Sequence, residues 1–152
     1  MPFNEKVHQL KSNIKKAAGR TTSEQAEMIR TPAYMLAMCK AHQTFVDKDS
    51  MEMVNTTIPS KGPVYYMPFR GIMKVGSKTT KCRICMDASS KPTASDVSLN
   101  HELYQGPNMV LNLALLLLKF MQGKYGAVAD LEKAFLRILI AQEDRDVLRY
   151  FV

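Results

Sequence analysis

The sequence predicts an α+β fold, and three observations predict it. Apolar residues recur at helical spacing through much of the first 46 residues. Residues 71–86 alternate around a Gly76-Ser77-Lys78 turn as a hairpin does. A broad apolar run, Met109–Met121, precedes two shorter apolar runs divided by a charged turn, Ala127–Ala141. The apolar fraction of 46% argues against disorder, and 152 residues suffice for one domain with a real core.

Residues 1–60 read as a helical N-terminal region. Val7, Leu10, Ile14 and Ala17/Ala18 mark a short helix that Gly19 stops; the alternative is a basic arm for nucleic acid. Ser23–Arg30 adds a helical turn or two, with Thr22 and Gln25 at capping-box spacing. Thr31-Pro32 starts a new helix, threonine as cap and proline at the first helical position, running to about Val46. Its apolar face holds Met35, Met38, Cys39, His42, Phe45 and Val46, which makes His42 a partly buried structural residue rather than a ligand. Asp47–Asp49 end the helix, and Met51, Met53 and Val54 alternate as a short strand.

Residues 61–152 form the second region, entered through a loop over Thr56–Gly62. Val64–Met67 is a strand ended by Pro68. Gly71–Val75 pairs with Thr79–Met86, which puts Lys81 and Arg83 on one face and Cys82 and Ile84 on the other. Ser89–Ser98 is a loop and Leu99–Tyr104 a turn or short helix. Asn108 caps a helix through Met121 whose leucines fill almost the whole circumference, so it needs cover on several sides. Ala127–Ala141 reads as strand, turn, strand, with Asp130 ending the first strand. A carboxylate there closes a turn or holds a metal ion; spacing alone does not choose. Val147–Val152 reads as a final strand.

Charge narrows the function. The net charge of +7 is uneven: residues 61–91 hold seven basic residues against one acid, Asp87, whereas 1–60 hold eight against six and 92–152 six against seven. A local basic stripe favours a phosphate-bearing partner; the alternative is solubility. The three cysteines, Cys39, Cys82 and Cys85, do not make a zinc site. There is no second pair, His101 is not at finger spacing, and strand positions 82 and 85 face opposite ways. An odd, low count fits a reducing compartment. Asn112 and Lys119 interrupt the longest apolar run, which is too short to span a bilayer.

The ordered motifs resemble a known family. Val64-Tyr65-Tyr66-Met67-Pro68, Lys81-Cys82-Arg83-Ile84-Cys85-Met86-Asp87-Ala88-Ser89, Ser98-Leu99-Asn100, Gly106-Pro107-Asn108, Ala127–Ala141 and Glu143–Tyr150 follow in the order found in the reverse transcriptases of Pao/BEL-type long-terminal-repeat retroelements. The resemblance implies a partial right-hand polymerase fold: a fingers hairpin plus an incomplete palm sheet with packed helices. It implies an RNA-directed DNA polymerase as parent, with primer-template and deoxynucleoside triphosphates as partners. The remaining palm and thumb segments would be partners too, and Mg2+ or Mn2+ the metal of the complete enzyme.

Residue by residue, the resemblance makes Asp130 the first catalytic, metal-binding carboxylate. Leu131 offers its backbone near the second ion, the one that accompanies the nucleotide, and Phe135 sits under the nucleotide sugar. Arg83, with Lys81, meets the triphosphate; Lys74 and Lys78 meet nucleic acid. Asp87 is expected to be structural, capping the following turn or pairing with an arginine. Phe69 and Gly71 depart from the family, which commonly has histidine and proline there. No paired-aspartate hairpin is present, and Asp144-Arg145-Asp146 is no substitute, so negligible polymerase activity is expected of this chain alone. No Asp-Thr/Ser-Gly environment surrounds Asp130, so no peptidase activity is assigned. The expected location is intracellular, in cytoplasm or a retroelement particle, with nuclear association an option. The competing readings are a decayed or domesticated nucleic-acid-binding protein and a protein-interaction domain using the apolar helix.

Overall fold

The computed structural model describes residues 1–4, 9–55, 60–74, 76 and 82–152. The chain is α+β and divides into two units, residues 1–104 with 139–152, and residues 105–138.

The first unit is organised by helix α1, Ile14–Arg30. It is one continuous helix, where a stop at Gly19 and a fresh start near Ser23 were expected. Gly19 has open space around its missing Cβ. A helical glycine costs about 1 kcal/mol against alanine, and burial on both sides of it offsets that cost. Thr22 does not cap: its hydroxyl donates back to the Ala18 carbonyl at 3.1 Å.

The buried stripe of α1 is Asn13, Ala17, Thr21 and Glu24, three of them polar. Two of these side chains serve backbone. Asn13 Oδ1 accepts from the Tyr66 amide and Glu24 Oε1 from the Gly71 amide, both at 2.9 Å. The spacing explains the match. Eleven residues of helix rise about 16 Å, and five residues of extended chain cover about 16 Å. The charged flank of α1 ties down the loop after the hairpin. Lys11 pairs with Asp96 at 2.7 Å, Lys16 Nζ donates to the Lys91 carbonyl at 2.8 Å, and Arg20 pairs with Asp87. These cations are committed internally, which counts against the basic-arm alternative.

Proline ends α1 and begins the next helix. Pro32 has no amide to continue the ladder, and Thr31 before it leaves helical angles, at φ −127° and ψ 84°. Helix α2 spans Pro32–Asp47 with proline in its first turn, as the sequence suggests. Thr31 makes no side-chain cap; its hydroxyl approaches Glu27 instead, at 3.5 Å.

Strands β1, Phe69–Met73, and β2, Cys82–Met86, pair antiparallel, as expected of Gly71–Val75 and Thr79–Met86, with β1 starting two residues earlier; Val75 and Ser77–Lys81 of the expected hairpin lie outside the described residues. The pairing is Phe69 with Met86, Arg70 with Cys85, Gly71 with Ile84, Ile72 with Arg83 and Met73 with Cys82. Helix α3 is a single turn, Leu99–Glu102. The expected strand at Val64–Met67 is reduced to one parallel bridge, Tyr66 with Arg149, flanked by bonds from the Tyr65 amide to the Asp146 carbonyl and from the Met67 amide to the Arg149 carbonyl. The final strand expected over Val147–Val152 is corrected too: Gln142–Leu148 is a 3-10 turn, and Arg149 alone bridges. No strand forms over Met51–Val54.

Two small cores hold this unit. One joins Leu10, Tyr65, Leu99 and Val147; the other joins Tyr34, Met38, Phe69 and Cys82. Each large apolar side chain so buried contributes about 1.5–3 kcal/mol. The second core lies directly under the hairpin.

The second unit contains helix α4, Leu113–Met121. It starts four residues later than expected, because Asn112 rather than Asn108 is its cap. The Asn112 side chain accepts from the amides of Ala114 at 3.0 Å and Leu115 at 3.3 Å. Asn108 closes a local turn with the Val110 amide. The strand-turn-strand expected at Ala127–Ala141 is absent. Residues 127–130 are irregular, Lys133 has φ 53°, and Ala134–Arg137 is a 3-10 turn. A strand needs neighbours for its amides and carbonyls. Among the described residues the sheet contains only β1 and β2, so this segment has no ladder to join.

Candidate phosphate-binding face

The hairpin separates its side chains by alternation. Phe69 and Cys82 point into the second core, whereas Arg70, Ile72, Arg83 and Cys85 are exposed. The register sets Arg83 opposite Ile72 and Arg70 opposite Cys85. The two arginines are therefore diagonal neighbours, about 7–8 Å apart by standard sheet spacing. Lys74 follows β1 and is also exposed. Among the described residues Arg70, Lys74 and Arg83 have no carboxylate partner. The other arginines of this unit are engaged: Arg145 with Glu52 at 2.8 Å, Arg149 with Asp146 at 2.7 Å, Arg30 with Glu27 at 3.6 Å, and Arg20 with Asp87.

Asp87, the single acid of the basic stripe, is turned away from anion repulsion by its own bonds. It pairs with Arg20, and its Oδ1 accepts from the Ser89 amide at 3.1 Å. Both structural roles expected of it are met. Two adjacent guanidiniums without a counter-charge raise the local positive potential and offer paired donors to phosphate oxygens.

The inner side of the hairpin is built for support. Cys82 Sγ lies 3.3 Å from Met38 Sδ. Burial, then the Glu24 carboxylate, pushes the Cys82 thiol up from its ordinary range, so it is a packing group and not a nucleophile. Cys82 and Cys85 face opposite sides, as expected, and all three cysteines are free. His42 fills the structural place expected of it: Nδ1 meets the Met38 carbonyl at 3.1 Å, and the ring lies edge-on to Phe69 and stacked on Tyr150. Phe69 is 6% exposed in that cluster. A histidine there would put a polar ring where an apolar one packs.

The predicted site residues fall in three groups. Arg83 and Lys74 belong to the hairpin region described above. Lys78 and Lys81 lie outside the described residues. Asp130, Leu131 and Phe135 belong to residues 105–138 and are exposed, Phe135 at 90%. A divalent cation of this kind takes several oxygen donors. Among the described residues no group of three His, Cys, Asp or Glu side chains converges.

Sequence reasoning passed over Arg70 as a site residue, and over Asn13 and Glu24 entirely. Arg70 was recoverable once the register was known, because it shares parity with Ile72 opposite Arg83. The polar stripe of α1 gave no signal, since hydrophobic periodicity does not detect side chains buried to serve backbone amides. No helix among the described residues is long and apolar enough to cross a membrane. Neither a family model, a curated protein nor a solved structure matches the chain.

Proposed function

We propose that the chain is the fingers and first palm part of an RNA-directed DNA polymerase of the Pao/BEL retroelement kind, and that its hairpin binds the phosphates of nucleic acid or nucleotide. The observation that carries the binding reading is the outward pair Arg70 and Arg83, uncompensated by any carboxylate among the described residues. The ordered motifs support the parentage. In this reading Asp130 is the first carboxylate of the parent's metal site, Leu131 and Phe135 flank the nucleotide, and Mg2+ or Mn2+ acts in the complete enzyme. The chain alone binds without polymerising, because one carboxylate does not hold two metal ions.

The test is a fluorescence anisotropy titration of the chain against a recessed DNA primer-template at several salt concentrations. The expected result is affinity that falls steeply with salt. Arg83→Ala and Arg70→Ala each weaken binding about tenfold and lower the salt slope by about one. Absence of binding, or binding indifferent to salt and to both substitutions, contradicts the reading. A protein-interaction domain is the second reading, favoured by the exposed leucines of α4. It predicts no binding to primer-template.

A further inference from the structure

We infer that the buried carboxylate of Glu24 is a positioning residue: it grips the backbone of β1 at Gly71 and so fixes which face of the hairpin presents Arg70 and Arg83. The inference rests on the phosphate-binding reading of that face and adds how the face is held.

The grip uses both polar groups of one residue. The Gly71 amide donates to Glu24 Oε1 at 2.9 Å, and the Tyr34 hydroxyl reaches the Gly71 carbonyl at 3.0 Å. The same hydroxyl donates to Glu24 Oε1. In an antiparallel pair, alternate residues direct amide and carbonyl away from the partner strand. Gly71 is such a residue, and its two groups would otherwise be an unpaired edge over an apolar core. Burying them without partners costs about 1–3 kcal/mol each.

Glycine is required at this point. A Cβ at position 71 would run into Met38 Sδ and the Tyr34 hydroxyl. Proline would remove the amide that Glu24 receives. Glycine at position 71 and the buried acid on α1 therefore belong together.

A two-stranded hairpin is marginal by itself, so its placement depends on what holds it. A slip of one residue would turn Arg70 and Ile72 from the outer to the inner face. Glu24 and Tyr34 act on the residue between those two, where such a slip begins. Both Tyr34 and Cys82 are held in their protonated forms beside Glu24, burial being the larger cause, which agrees with a carboxylate sealed beneath the hairpin.

The cysteines give a readout that needs no ligand. Cys39 and Cys85 are exposed and Cys82 is buried under β2, so native thiol labelling should show two fast sites and one slow. In the full chain, Glu24→Ala is expected to speed labelling of Cys82 about tenfold and to weaken binding of the recessed primer-template about tenfold, the size of one lost charge-assisted hydrogen bond. Glu24→Gln keeps an oxygen for both donors and should restore both readouts to within about threefold of wild type. Tyr34→Phe, a smaller change that retains the ring, should move both in the direction of Glu24→Ala and keeps the test valid if the alanine variant does not fold. Cys82 labelling unchanged in Glu24→Ala and Tyr34→Phe, or faster labelling with full affinity, overturns the positioning role. If wild type binds no primer-template, the phosphate-binding reading falls, while accelerated Cys82 labelling rescued by Glu24→Gln still upholds the grip on the hairpin.

Discussion

The segment Met109–Met121 is more apolar than any of comparable length in the first unit, yet among the described residues of 105–138 none is buried. The first unit, with a polar stripe on its main helix, buries Met38, Tyr65, Leu99 and Val147 almost completely. Apolar sequence becomes core only where another surface lies against it. In the first unit that surface is assembled by polar side chains. Asn13 and Glu24 capture amides of the 66–71 segment, and Lys11, Lys16 and Arg20 hold the loop over 87–96. With backbone so placed, small clusters of four side chains are enough. Helix α4 has a good cap and no such arrangement within its own unit.

The largest expected effect separates the two units directly. Met38→Ala removes a side chain with no exposure from beneath the hairpin, and should destabilise the first unit by about 2–5 kcal/mol. Leu117→Ala takes away more side chain than most surface changes do, but from an exposed position, and should shift stability by less than about 0.5 kcal/mol. Urea unfolding followed by tyrosine fluorescence and far-UV circular dichroism measures both. Equal losses would break the contrast.

A smaller effect sharpens it by placing acid sensitivity in the first unit. The Ser60 hydroxyl, then the Arg149 guanidinium, hold the Asp146 carboxyl below the usual aspartate range against the opposing influence of burial. A carboxyl whose folded value is depressed contributes stability above its unfolded value, near 3.9, and loses it as pH falls through the folded value. Melting temperature should therefore drop below about pH 4. Asp146→Asn should be less stable than wild type at pH 7 and show a shallower drop on acidification. An identical acid profile in the two proteins would remove Asp146 from the account. The carboxyl ties residues 60–66 to 146–149, the connection that lets Tyr65 and Val147 share a core.

The pairing of β1 with β2 was legible in the sequence because alternation is a local signal. Its faces were legible too: Cys82 inside, Arg83 and Cys85 outside, Asp87 held by an arginine and a turn amide. The start of α2 was legible because Thr31-Pro32 restricts backbone angles whatever surrounds it. Gly19 misled because glycine is a weak helix former on its own, whereas here burial of Ala17 before it and of Thr21 and Glu24 after it carries the helix through. Asn112 read as an interruption of an apolar run, when an asparagine followed by leucines is equally a cap. The strands expected over Ala127–Ala141 depended on something no local pattern contains, a neighbouring ladder. Glu24 was invisible for the reason already given: its partners are an amide 47 positions away and a tyrosine ten positions away.

The outward face of β1 and β2 is the surface proposed to contact nucleic acid. The most direct measurement is photocrosslinking of the full chain to a recessed primer-template carrying 4-thiothymidine, with the attached peptides mapped by mass spectrometry. The account predicts crosslinks concentrated in residues 69–74 and 82–86, lost when Arg70 and Arg83 are both alanine. Crosslinks confined to residues 105–138, or a pattern unchanged by the double substitution, would contradict it.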